Sequence, residues 1–444
     1  MQLTEIFRFK SSIPLWFFAF VPQKIVESLL IILLPLFIVQ AVGGNVAQVG
    51  EVHALTALAG MGGSILWGNL SDSIGCRRPF LIVGLTGLAL CTFAIGTAEN
   101  VNTVLLFSPL AGFFMAAIVP VTSALVLDSF PESQWSQIFS RLYLINAWSF
   151  VAAVILGTTW LSWFSPGQGT ASAMQSLLQI AGSFTLVSLF LCYLLIQDPP
   201  IARKKRQFSP HLMGSLSIAV VERRALFYAS RMAYFILTPS GLSQLGKILN
   251  QPLILFYLGL AQFFIAANIV LVPFPIFLTE KLGVTNSQIF TLFLAKAVVE
   301  AFCYLPVGQW VRKHPGLLLT AEATALRMGM FTTFAVIAWK ETSPNSFVMV
   351  GFVYLLVGMT WAIVNVSGTT AVACLSPQGS QGMAMGIYNA IIGLATVVGS
   401  LIGGALARSF SYSLCFATGA LIAGIAAIWL WRLRAIVPAP KLAE

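Results

Sequence analysis

Gly68-Asn69-Leu70-Ser71-Asp72-Ser73-Ile74-Gly75-Cys76-Arg77-Arg78-Pro79 is a short charged island between two long apolar runs. An Asp, two Arg and two Gly set this close together read as a built turn that pins two helix ends. A passive linker would need none of those residues.

The composition says what lies on either side. Of 444 residues, 58% are hydrophobic and 9% charged, and the mean hydropathy is +0.89. A soluble globule carries about 25% charged residues, so most of this surface faces something other than water. A span needs about 20 mostly apolar residues to cross about 30 Å of hydrocarbon. Twelve segments qualify: 14–40, 48–67, 80–98, 104–127, 138–161, 174–196, 253–277, 287–310, 317–339, 347–370, 383–407 and 411–431. The chain therefore divides into 1–197, a polar stretch 198–251 and 252–444, with six spans on each side. The first apolar run has no small-residue cleavage site and stays as the first helix.

Lys and Arg set the orientation. With the N-terminus cytoplasmic, eighteen fall on that side, against Lys281, Lys340 and Arg408 on the other. That bias predicts a multi-pass protein of the cell (inner or plasma) membrane with both termini in the cytoplasm. The net charge of +10 is dispersed among apolar segments, which points to anionic lipid and not to nucleic acid. Within 198–251, Arg203-Lys204-Lys205-Arg206 precedes a mixed stretch in which Arg224 and Arg231 share one helix edge. It reads as an interfacial helix on the cytoplasmic leaflet. The six cysteines are scattered with no metal or disulfide spacing, and they read as small packing residues.

The opening stretch resembles motif A of the major facilitator superfamily, which joins helices 2 and 3. Gly68, Leu70, Asp72, Gly75 and Arg77 match, while Ser73 and Cys76 stand where the family usually has basic residues. The resemblance runs from about residue 14 to 434 and implies an all-α polytopic membrane protein with twelve transmembrane helices in two six-helix bundles. It implies that Gly68, Asp72, Gly75, Arg77, Arg78, Asp128 and Arg141 form a gate on the cytoplasmic side that holds an outward-facing state. The first half is most similar to the drug/proton antiporter branch. It lacks that branch's Arg in helix 4, since Ser108 stands four residues before Gly112, and the Gly-Pro-rich motif of helix 5 is missing from 138–161.

Ionisable groups inside spans cost about 2.5–3.5 kcal/mol each at a helix centre and should face a cavity or a partner. Lys24 and Glu27 share a face of the first span at i, i+3; Lys296 and Glu300 share one of the eighth at i, i+4. The family fold would point both pairs at the transport path. Glu27 or Glu300 would then take up a proton and free its lysine for an anionic or carbonyl group of a substrate. A permanent ion pair that only neutralises two charges is the competing reading. Gln23, Asn146, Gln262, Asn268, Trp361, Asn365, Tyr388 and Asn389 are polar or amphipathic groups expected beside the lysines in the substrate site, where some would simply bond a neighbouring helix. Arg327, on a helix peripheral in the family fold, reads as an interfacial charge answered by Glu322.

There is no nucleotide-binding loop, nucleophile constellation or metal spacing, so the chain reads as a secondary transporter without a cofactor, and not as an enzyme. Proton-coupled efflux of amphipathic compounds by a monomer is the favoured expectation. Uptake of a sugar or organic anion is the alternative, and a non-transporting receptor or scaffold a third.

Overall fold

The computed structural model describes residues 15–74, 76–118, 121–122, 125, 135–196, 251–314, 316–340, 346–376 and 381–436; at some of these, including 68, 72 and 135–144, it describes backbone alone. The interfacial helix and Asp128 of the sequence reading, and Gly75 of the motif, lie outside the described residues.

After a short 3-10 helix at Leu15–Phe20, the chain forms α1 (Val21–Gln40), α2 (Val46–Ile74), α3 (Arg78–Gly96), α4 (Val101–Met115), α5 (Trp135–Gln168) and α6 (Thr170–Leu195). The second half follows with α7 (Gln251–Leu271), α8 (Phe274–Leu282), α9 (Asn286–Lys313), α10 (Gly316–Trp339), α11 (Ser346–Leu375), α12 (Gln381–Ser409) and α13 (Tyr412–Ile436). Counting α7 and α8 as one interrupted span gives twelve. Among the described residues, nine stretches of helix are long and apolar enough by themselves to cross a membrane.

Local chemistry sets the helix ends. Proline opens α1, α3 and α8, at positions where no intrahelical N–H is lost. Asn100 caps α4 through Thr103 N, and Thr285 with Gln288 forms a capping box for α9. Pro273 breaks the seventh span. Its missing N–H leaves the Ile269 carbonyl without a helical donor, and the Cys415 thiol of α13 donates to that oxygen at 3.3 Å.

The motif is placed differently from the expected turn. Gly68 to Ile74 continue α2 as helix, which shortens the link to α3 to residues 75–77.

Helices α1–α6 pack on one another, as do α7–α13. The two sets meet through α2 against α12, α5 against α9, and α1 against α8. These contacts fall at the end away from the chain's termini. There a Cβ on Gly50 would lie 2.3 Å from the Ser400 carbonyl oxygen, one on Gly404 would lie 2.9 Å from that of Val46, and one on Gly157 would lie 2.2 Å from the Phe290 ring. Only glycine allows helices this close. At the same end Gln40 and Asn286 exchange two amide hydrogen bonds of 3.1 and 2.8 Å between the halves. The apolar core follows this pattern: one cluster runs from α1, α3 and α6 across to α8 and α9, and a second lies within the C-terminal half nearer the termini.

Candidate functional site

In α1 the spacing puts Gln23, Lys24 and Glu27 on one face. Lys24 Nζ is 2.7 Å from Glu27 Oε2, and Gln23 Nε2 donates to the same oxygen at 3.0 Å. The Lys24 and Glu27 side chains are 20% and 24% exposed, while Gln23 is 1% exposed and its Oε1 has no partner.

The second pair sits in a wider network. Lys296 Nζ meets Glu300 Oε2 at 2.5 Å, and the Tyr304 hydroxyl donates to Glu300 Oε1 at 2.9 Å. Asn365 Nδ2 of α11 donates in turn to the Tyr304 hydroxyl at 3.3 Å. Lys296 lies 5.8 Å from the centroid of the Trp361 ring, which meets Phe264 edge to face at 6.0 Å. Gly358 makes this possible, because a Cβ there would stand 2.5 Å from the Lys296 carbonyl oxygen. Tyr304 was missed by sequence reasoning, although Lys296, Glu300 and Tyr304 are successive i+4 positions of one stripe and could have been found that way.

Arg327 corrects an expectation. Glu322 is exposed, whereas Arg327 is 0% exposed and points inward. Its Nε donates to Thr360 Oγ1 at 2.7 Å and its Nη2 to the Val357 carbonyl at 3.0 Å, while Nη1 has no partner. The guanidinium carbon lies 5.4, 5.7 and 5.9 Å from the ring centroids of Trp361, Phe263 and Phe331. The linear sequence shows the residue's own helix neighbours; the wall that buries it comes from α7 and α11.

The other expected residues are spread more widely. Asn268 donates to the Phe264 carbonyl and to Thr396 Oγ1, tying α7 to α12. Gln262 is half-buried with Oε1 unpartnered. Tyr388 is buried, Asn389 exposed and Asn146 half-buried. At the motif, Arg77 is buried and donates to Ser71 Oγ at 2.7 Å. Arg78 donates to the Tyr193 carbonyl and lies 4.5 Å over that ring, fastening the α2–α3 junction to α6. Asp72 lies on α2 and Arg141 on α5. No cluster of His, Cys, Asp and Glu among the described residues could hold a metal.

The family description that matches the chain is "Major Facilitator Superfamily", over residues 16–373 and 268–444. The chain belongs to that superfamily. It is therefore an all-α, multi-pass membrane transporter of twelve helices in two six-helix bundles, and not an enzyme. Curated relatives include the bicyclomycin resistance protein homolog of Haemophilus influenzae, 32% identical over 28% of this chain and 31% of that protein. Multidrug resistance protein 3 of Bacillus subtilis is 30% identical over 28% of this chain and 26% of its own. The matched stretch thus spans less than a third of these two relatives. Among solved structures, the nucleoside transporter NupG (D323A mutant) superposes with a TM-score of 0.71 at 14% identity, over 95% of this chain and 99% of that one. The xylose transporter XylE from E. coli superposes with a TM-score of 0.62 at 13% identity, over 97% of each. At these identities the likeness is one of fold.

Proposed function

We propose that the chain exports an amphipathic organic compound in exchange for protons, by alternating access between its two bundles. The observation that carries this is the Lys24–Glu27 pair with Gln23, a protonatable unit in an otherwise apolar α1. The two resistance-protein relatives support the direction.

In this reading protonation of Glu27 cancels its charge and releases Lys24, so the charge in the path depends on pH and on membrane voltage, the latter worth about 2.3 kcal/mol per charge per 100 mV. Glu300 plays the same part for Lys296. Gln23, Gln262, Trp361 and Asn365 supply further groups to the substrate path. Residues 1–197 and 252–444 act as the two rocking bodies of a monomer in the cell membrane. The stretch 198–251 lies on anionic lipid, and both termini are cytoplasmic. With that orientation, contacts gathered at the far end make the described conformation inward-facing. Motif A, on the opposite end, would take over when the seam opens. Uptake of a sugar or an organic anion is the second reading, and the two intramembrane lysines are what favour it.

The test uses proteoliposomes with an enclosed pH-sensitive dye. An amphipathic probe added against a proton gradient should dissipate it, and Glu27→Gln should abolish that response while still binding the probe. Proton movement by Glu27→Gln equal to that of the unaltered protein would sink the assignment.

A further inference from the structure

The C-terminal half carries one more positive charge in its membrane-buried part than it can neutralise. Through the helices that surround Trp361, the mid-span ionisable groups are Lys296, Glu300 and Arg327, two cations and one carboxylate. Both oxygens of that carboxylate are engaged, Oε2 by Lys296 and Oε1 by Tyr304. The hydrogen bonds of Arg327 go to a neutral hydroxyl and a backbone carbonyl, and Nη1 bonds to nothing. The two cations are not far apart, because the Trp361 ring lies 5.8 Å from Lys296 Nζ and 5.4 Å from the Arg327 guanidinium carbon.

A buried cation without a counter-charge is costly in a low-dielectric interior. Aromatic faces offset a part of that cost, and Trp361, Phe263 and Phe331 surround Arg327 for this reason. The remainder is available to an incoming anion. Lys296 is 18% exposed in its side chain and Trp361 is half-buried, so a ligand can reach both, whereas Arg327 is sealed behind them.

We infer that Lys296, Trp361 and Arg327 form a subsite for the anionic group of an amphipathic substrate, with a carboxylate or sulfonate on Lys296 and an apolar or aromatic body along Trp361 and Phe264. Arg327 is a positioning residue. It touches no ligand and fixes the sign of the potential that the ligand meets. The proposal rests on the transporter reading above and narrows its substrates to anions.

The experiment measures binding to the purified full-length protein, by tryptophan fluorescence and thermal stabilisation, with three probes of one shape: 1-naphthoate, 1-naphthamide and 1-naphthylmethylamine. Acetate alone is the fourth. The unaltered chain should bind naphthoate at least tenfold more tightly than the amide and should reject the amine. Arg327→Met should remove that preference while leaving amide binding in place, and Arg327→Lys, which keeps the charge and loses the fork, should retain it. A preference for the amine, equal binding of amide and naphthoate, or an unaltered preference in Arg327→Met would each overturn the subsite. Stabilisation by acetate equal to that by naphthoate would overturn the amphipathic part, leaving a site for small free anions. If naphthoate binds as expected but moves no protons in liposomes, proton-coupled export fails and the subsite stands; if none of the four binds, the subsite fails.

Discussion

Gly50→Ala should open the seam between the halves without loosening either half. A Cβ at this position would lie 2.3 Å from the Ser400 carbonyl oxygen and 3.1 Å from Gly404 Cα, where ordinary contact begins at 3.4 Å. The neighbour at closest approach is backbone, so no side chain can turn away, and α2 and α12 must separate by about 1 Å. Overpacking of this kind costs about 1–3 kcal/mol. The strained contact joins the two halves, so the cost falls on the conformation in which the seam is closed. The equilibrium should move toward the opposite state by about 5- to 150-fold. Spin labels at Asn102 and Lys281, both exposed at that end, on a background cleared of the six cysteines, would report the shift as a longer distance population. Gly62→Ala serves as control, since nothing lies within 4 Å of a Cβ there. If Gly50→Ala leaves the distance distribution like that of the control, the seam does not set the conformational balance.

Two further outcomes can be checked with the same material. Removing the Gln40–Asn286 amide pair one partner at a time and then together should give a coupling of about 1–2 kcal/mol in that distance assay; additive single effects would mean that the pair does not act as a clasp. Trp67 Nε1 donates to the Phe113 carbonyl at 2.8 Å inside a cluster with Phe80, Phe113 and Phe114. Trp67→Phe should therefore cost about 1–3 kcal/mol and lower the melting temperature in detergent, because it strands that carbonyl; an unchanged melting curve would count against the bond.

Much of the molecule could be read from its sequence because the bilayer constrains it so strongly. Apolar run length alone placed the helices, and i, i+3 and i, i+4 spacing alone set Lys24 on Glu27 and Lys296 on Glu300. Arg327 escaped for the opposite reason. Its surroundings are residues 263, 357, 360 and 361, brought in by two other helices, and nothing local in the sequence announces them. The glycines of α12 lie between these cases. Gly399, Gly403 and Gly404 read as a close-packing stripe, but the stripe has two clients: Gly399 and Gly403 admit α7 of their own half, and Gly404 admits α2 of the other. Composition shows that helices come near; it does not say which. The charged island was legible as a junction, although most of it extends α2, because Gly and Asp late in a long helix look like a turn when read alone.

The break at Pro273 divides the seventh span into two helices with different neighbours. Above it α8 rests on α1 of the other half and packs Phe274 and Phe277 onto Phe334, Tyr354, Tyr412 and Phe416 of its own, and below it α7 is packed against α12 and α13. The carbonyl exposed by the proline already has the Cys415 thiol as donor, so a swing of α8 about the break ruptures no rung of a helical ladder. The junction is therefore held by side-chain packing where a continuous helix would be held by backbone, so substitutions at Phe274 or Phe277 would act on the far end of the span without touching a helical hydrogen bond.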